Sequence, residues 1–423
     1  MAMKLLTLII VILMAPALFM PVFSGYVLGL FMIGLAVWSK FAFRSHTDLA
    51  LYRDFRLALA PISRGALWFM FCLVVASIGS ALLSTNENLR ILVKGLGHFF
   101  VKYGILWFVY LTFWWRVAQD RSNWRIFSFA YAFFAVVNAI YCLAQRYTGI
   151  DWAHGFDAVL GANRYAYGVY RFGGFMGHPL SLGYSQVLAF VAAIHFAGIS
   201  PRGKEKIAWL TSALCASFVL LISGSRGPQA AALIGGFLMI PLSVWRTRWK
   251  SLTIGFSGLA LAAGVFGVFN RFLEVMAAGS GGDMRMIHWS VHWQIFAEHL
   301  WFGLGLGEPR SAISAHYLAK GASDKLMLAH NAFLQCAADF GLLGLLGLGV
   351  WLTSWLRAAR GLQRAGKSLT IVFIVAVLSG LTQNNLQESA YILALTTWTM
   401  IIIAVEVSGR DHPISTKNKG IVS

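Results

Sequence analysis

The chain has 423 residues, of which 58% are hydrophobic and only 12% charged, with a formal net charge of +18. A soluble globular domain carries roughly 25% charged residues, so composition excludes that class. The positive charge invites a nucleic-acid reading, which the placement of the charges removes.

Apolar runs recur from end to end at the length of about 17–25 residues that crosses a hydrocarbon core. Lipid offers the backbone no partners, so such runs are helices that satisfy themselves. Twelve are predicted, approximately 5–23, 25–43, 66–83, 91–115, 126–147, 178–198, 207–224, 229–245, 251–269, 331–356, 369–386 and 389–407. The first reads as a retained helix, because Met14-Ala15-Pro16-Ala17 lacks the small-x-small pattern of a cleaved leader.

Every second connection is short and basic. Arg44, Arg53, Arg56 and Arg64 fill the first, Arg116, Arg121 and Arg125 the next, and then Arg202, Lys204 and Lys206. Arg246, Arg248 and Lys250 follow, and Arg357, Arg360, Arg364 and Lys367 close the series before a basic tail. This alternation is the positive-inside pattern with both termini cytoplasmic. The charge therefore encodes topology and attraction to anionic membrane lipid, with no nucleic acid as partner. Trp107, Trp114, Trp115, Trp124, Trp245, Trp249, Trp351 and Trp355 lie near span ends, as an aromatic belt would. Cys72, Cys142, Cys215 and Cys336 sit within or beside apolar runs without ligand spacing, so neither a disulfide framework nor a metal site is expected.

Two outer connections are long, 148–177 and 270–330, and connections of that length are usually functional or disordered. In the second, Ile287, Val291 and Ile295, with His288 and His292, recur at four-residue spacing. That pattern predicts a helix lying on the outer leaflet or over a cavity. The expected fold is all-α: a polytopic integral membrane protein of about twelve transmembrane helices. Residues 1–423 form a single transmembrane domain with a large, partly helical outer loop before span ten.

Cations on the outer side are few. Arg226 stands in Ser223-Gly224-Ser225-Arg226-Gly227-Pro228, either snorkelling to headgroups or clamping phosphate with its planar fork. Arg285 is a second candidate from the long loop, its alternative being an ion pair with Asp283 or Glu298. Arg164 and Arg171 flank an aromatic turn suited to sugars or headgroups. Arg90, Lys94, His98 and Lys102 share one helical face. A charge at bilayer depth costs roughly 2.5–3.5 kcal/mol, so these residues either face a cavity and await an anion or snorkel from a shallow position.

His330-Asn331 opens span ten, where Gln335 extends the polarity and Gly341, Gly344 and Gly347 form a small-residue face for close helix packing. An imidazole there is a competent base at neutral pH. Asp339, nine residues on, lies on roughly the opposite face and reads as partner to a buried cation. No P-loop, GxSxG elbow or DxD-type motif is present, which disfavours soluble-nucleotide and metal-dependent chemistry.

Three elements together resemble the O-antigen ligase and polymerase superfamily. They are the Ser225-Arg226-Gly227 turn, the Arg285–Trp289 segment running into Phe302-Gly303-Leu304-Gly305-Leu306-Gly307, and His330-Asn331-x9-Gly341-x-x-Gly344. The resemblance implies an inner-membrane glycosyltransferase with a periplasmic site and no metal or other cofactor. Its donor would be a glycan on undecaprenyl diphosphate, and its acceptor a sugar hydroxyl of lipid A–core. His330 would be the catalytic base, with Arg226 and Arg285 on the diphosphate, and Lys94, His98, Lys102, Arg164, Arg171 and Asn331 as further substrate contacts. Segment 148–177 would be the first long periplasmic segment, and 270–330 the loop bearing part of the active site. Polymerases and protein O-oligosaccharyltransferases share the superfamily. The latter tend to extend further at the carboxy terminus, so an end at Ser423 favours the ligase expectation. A solute or anion transporter is the alternative of another class, although no inverted repeat is visible.

Overall fold

A computed structural model describes residues 46–83, 121–153, 165–166, 169–170, 172–200, 203–240, 283–305, 310–320, 328–363, 365–383 and 389–410, with isolated positions 247, 250, 257 and 386. Among them the chain is helical except for a minimal hairpin, β1 (Tyr165–Ala166) paired antiparallel with β2 (Val169–Tyr170). The long helices are α1 (His46–Leu83), α2 (Arg121–Thr148), α3 (Pro179–Ile199) and α4 (Lys204–Ile222). They are followed by α5 (Arg226–Met239), α6 (Asp283–Glu298) and α7 (Arg310–Ala319), then α8 (Ala332–Arg360), α9 (Ala365–Thr382) and α10 (Ser389–Arg410).

Six described helices, α1, α2, α3, α4, α8 and α9, are long and apolar enough to cross a membrane; α5 and α10 contain shorter apolar stretches. The protein is a polytopic membrane protein, helical throughout the described residues apart from that hairpin and the connecting turns. The expected runs 5–23, 25–43, 91–115 and, but for position 257, 251–269 lie outside the described residues.

Helix α3 is the most enclosed span, packing against α4, α5, α9 and α10, while α1 lies along α8. Consecutive spans alternate in direction, so the basic residues Arg125, Lys204, Lys206, Arg357, Arg360 and Lys367 gather at one end. At that end Trp124 and Trp209 stack with centroids 5.4 Å apart, and Phe196 closes on Trp209 at 4.8 Å. Glu205 accepts from the Trp124 indole at 3.1 Å and the Ser200 hydroxyl at 3.0 Å. Trp124, Trp351 and Trp355 are thus buried between helices, not arrayed in a lipid-facing belt. Helix–helix contacts and headgroup anchoring both place aromatics near span ends, and sequence position does not separate them.

Two further expectations are corrected. The third span does not start near residue 66: α1 begins at His46, so Arg53, Arg56 and Arg64 lie on a helix and not in a loop. These cations are exposed, and good helix formers around them carry the helix beyond the apolar stretch. Span ten is not a continuous helix either. Gly341 has φ +64° and ψ −158°, a conformation open essentially to glycine alone, and it breaks α8 within the apolar run.

The break explains the glycine-rich segment before it. The amides of Leu304 and Gly305 donate to the carbonyls of Ala338 (2.9 Å) and Asp339 (2.7 Å). In return the amides of Leu342 and Leu343 donate to Leu300 (2.8 Å) and Trp301 (3.4 Å). The groups exposed by the broken helix are therefore satisfied by the turn after α6. The two backbones touch, so a Cβ at Gly341 would collide with Trp301 and one at Gly303 with Asp339. Gly341 therefore serves this exchange, and Gly347 supplies the close approach to α1, against Cys72 and Phe69.

Gly341→Ala should destabilise the folded protein by at least about 1–3 kcal/mol from the backbone conformation alone. Gly349→Ala on the same helix, where an added methyl meets nothing within 4 Å, should leave stability unchanged or slightly raised. Thermal denaturation midpoints of the two variants in detergent check the contrast.

Candidate functional site

The end of the bundle opposite the basic residues holds His330 at the entrance to α8. It is the one non-glycine residue with positive φ (+50°) among the described residues. That conformation costs roughly 1–2 kcal/mol and persists where surrounding contacts enforce it. Asn331 enforces it from one side as the N-cap of α8, its Oδ1 accepting from the amides of Phe333 (3.0 Å) and Leu334 (3.1 Å). Gln335 enforces it from the other, accepting from the Ala329 amide at 2.9 Å and donating to the Asp339 carboxylate at 3.0 and 3.2 Å. Asp339 thereby buttresses the histidine turn through Gln335. Oδ1 of Asn331 thus serves as the helix cap.

The His330 ring is oriented from α9. Its Nδ1 lies 2.9 Å from Oε1 of Gln383, the buried residue just past the end of that helix. An amide oxygen only accepts, so Nδ1 is the donor of this bond, and in the neutral ring the lone pair falls on Nε2. This is the tautomer a general base requires.

A second imidazole stands beside the first. The centroids of His288 and His330 are 5.3 Å apart, edge to face. His288 lies on the buried side of α6, with Nδ1 2.6 Å from the Tyr317 hydroxyl of α7. One turn on, Nδ1 of His292 donates to the His288 carbonyl at 2.9 Å. His292 is fully buried and its Nε2 has no partner. Burial, reinforced by the charges possible on His288 and His330, pushes the His292 pKa down from 6.5 to about 4. At neutral pH this ring is uncharged.

The turn before α5 approaches the same place. Gly224 takes φ +61°, and the turn is braced by Ser223 Oγ on the Leu220 carbonyl (2.9 Å) and by the Gln229 amide on Leu220 (3.0 Å) and Leu221 (3.3 Å). Arg146 of α2 donates to the Ile222 carbonyl. Gly227 packs on the Tyr184 hydroxyl and on Thr382, the residue preceding Gln383. Arg226 is the first residue of α5, where first-turn amides lack intrahelical partners and the helix dipole favours an anion. The adjoining Ser225 hydroxyl is buried and unpartnered.

The backbone position of Arg285, one turn before His288 on α6, belongs to the same end. The structure thus gathers His330, His288, the start of α5 and the Arg285 turn at one end of the bundle. Lys94, His98, Lys102, Arg164 and Arg171 lie outside the described residues. Sequence reasoning missed Gln383 and Tyr317, and named Ser225 only as part of the Ser225-Arg226-Gly227 turn. For His288 a signal was present, since it follows Arg285 by three residues and precedes His292 by four, but that spacing was legible only as a helix.

Residues 211–349 match the family described as O-antigen ligase (Wzy_C). That segment, 139 of the 423 residues, is where the chain is similar to this family. Members of this family are membrane glycosyltransferase-like enzymes. The segment includes Arg226, Arg285, His288, Tyr317 and His330, while Gln383, which orients His330, lies beyond the matched residues. The chain is also similar to a phospho-N-acetylmuramoyl-pentapeptide-transferase of Synechococcus sp. (strain RCC307), with 30% identity over 191 residues. That match covers 41% of this chain and spans about half (51%) of the relative.

The neutral state of His292 makes the fold acid-sensitive. Between pH 6.5 and about 4 the unfolded chain binds a proton that the folded ring refuses, so stability falls as pH drops through that window. The loss amounts to about 3 kcal/mol at most. Thermal midpoints measured across the window should fall less steeply for His292→Phe than for the unmodified protein. Equal slopes would show that another group carries the acid sensitivity.

Proposed function

We propose that this protein is an O-antigen ligase, transferring a preassembled glycan from undecaprenyl diphosphate to a sugar hydroxyl of lipid A–core. The observation that carries the reading is His330: left-handed, oriented through Nδ1 by Gln383, and inside the matched ligase-family residues. Its placement at the end opposite the basic residues supports a periplasmic site in the bacterial inner membrane, with cytoplasmic termini. On this reading residues 1–423 act as a single transmembrane domain, with 148–177 and 270–330 on the periplasmic side. The similarity to a phospho-N-acetylmuramoyl-pentapeptide-transferase supports a transferase reading in general terms.

In the proposed reaction Nε2 of His330 takes the proton of the acceptor hydroxyl as its oxygen attacks the anomeric carbon. The bond from that carbon to the diphosphate oxygen breaks on the far face, inverting the configuration. The departing diphosphate is stabilised by Arg226, the start of α5 and Arg285, the kind of preorganised charge that usually dominates catalysis. Holding both lipid-anchored reactants in one plane lowers the entropic barrier. The scheme calls for neither metal nor nucleotide. The released diphosphate stays on its polyprenyl carrier, and the proton leaves His330 for water.

Purified protein reconstituted with undecaprenyl-diphosphate glycan and lipid A–core should form glycosylated core without nucleotide. Glycan extension on the carrier would instead identify a polymerase, and glycan flux without bond formation a transporter. His330→Ala should abolish transfer with membrane insertion intact. Arg226→Lys should also fail, because a point charge does not reproduce a bidentate phosphate contact.

Gln383→Leu removes the acceptor for Nδ1–H while keeping the apolar volume. Turnover should fall about 10–100-fold, by analogy with the loss seen when partners that orient metal-ligating histidines are removed. KM should change little, and unchanged turnover would remove Gln383 from the orienting role.

A further inference from the structure

Helix α6 has three faces where a loop-borne helix usually has two. His288, Val291, His292 and Ile295 form the buried face, each no more than 3% exposed. Ser290, Gln294 and Glu298 form a polar stripe. Gln294 donates to Glu298 at 2.9 Å, and His316 of α7 reaches the other carboxylate oxygen at 2.8 Å. The His316 bond and then the Gln294 bond hold the Glu298 carboxyl below its ordinary pKa, as suits a stripe facing water. The third face is apolar and open. Met286, Trp289 and Trp293, at the i, i+3, i+7 spacing of one helical face, are 62%, 37% and 62% exposed. The turn that follows adds Leu300 and Trp301, 44% and 64% exposed.

This apolar stripe runs into a surface that lipid must cover. Phe302 packs on Gly79 of α1, and the Ser80 hydroxyl donates to the Leu304 carbonyl at 2.7 Å, joining the turn after α6 to the end of α1. On that end Ile78 and Leu82 are 44% and 81% exposed, as lipid-facing residues of a membrane span are. We infer that α6 is an interfacial helix: its Met286–Trp289–Trp293 stripe, continued by Leu300 and Trp301, docks into the headgroup boundary of the leaflet on the His330 side. Indole rings favour that boundary, where one edge is apolar and the N–H is wet. Aliphatic Met286 and Leu300 within the stripe, and the segregation of its hydrogen-bonding groups onto another face, favour lipid over a soluble glycan. Because the opposite face of α6 holds His288 against His330, the bilayer would form part of the scaffold that seats the second imidazole. The inference is independent of the reaction proposed above.

The test is nitroxide accessibility in vesicles of phosphatidylethanolamine and phosphatidylglycerol. Labels are placed by Trp293→Cys, Met286→Cys and Gln294→Cys in a Cys215→Ser background, the other three native cysteines being buried. The background chain without an added cysteine sets the unspecific signal. Labels at 293 and 286 should collide with oxygen in preference to a water-soluble nickel chelate, at a depth of about 5–10 Å. The label at 294, one residue away on the polar stripe, should show the reverse. Two labelled apolar positions keep the test decisive if one variant folds poorly. Chelate access at 293 and 286 equal to that at 294 would overturn the inference, leaving the stripe to water or a soluble ligand. Spin–spin broadening between copies would overturn it in favour of self-association.

Discussion

A helix broken inside an apolar run exposes carbonyls and amides that lipid cannot satisfy, and such a break survives only where another backbone meets it. Here α8 breaks at Gly341 and the turn after α6 meets it with four reciprocal hydrogen bonds, through residues 300–305. The histidine turn, the loop helix and the longest described packing face, α1 on α8, all converge on this exchange. It fixes the height and rotation of α6 relative to the start of α8. The 5.3 Å approach of His288 to His330 follows from that registration.

Around His330 the same logic operates at shorter range. A left-handed histidine is a strained choice, and three hydrogen-bonding devices hold it: the Asn331 cap, the Gln335 link from Ala329 to Asp339, and Gln383. None of these partners is a cation or a carboxylate in direct contact with the ring. The imidazole is directed by neutral amide chemistry, which sets its tautomer without adding a fixed charge at Nδ1.

Much of the architecture was legible before any coordinates. Run length and apolar composition predicted helices that coincide with α2, α3, α4, α5, α8, α9 and α10. Alternating basic connections predicted which helix ends gather together, and the four-residue spacing of Ile287, Val291 and Ile295 predicted α6. These are local properties: periodicity and hydropathy follow from a residue and its near neighbours in the chain. The start of α1 and the burial of Trp124, Trp351 and Trp355 were misread because helix propensity and aromatic content do not say what lies alongside.

The sequence by itself determined a helical membrane protein with short basic connections at alternate span ends and an imidazole at the foot of a span, because those features depend only on residue type and spacing. The tertiary structure alone decided that Gly341 breaks the span, that Gln383, 53 positions downstream, orients His330, and that His288, itself bonded to Tyr317, stands beside it. Each of these is a contact between segments far apart in the chain, governed by how helices dock. Docking depends on shape and on the pairing of buried polar groups, and a linear pattern of residues encodes neither directly.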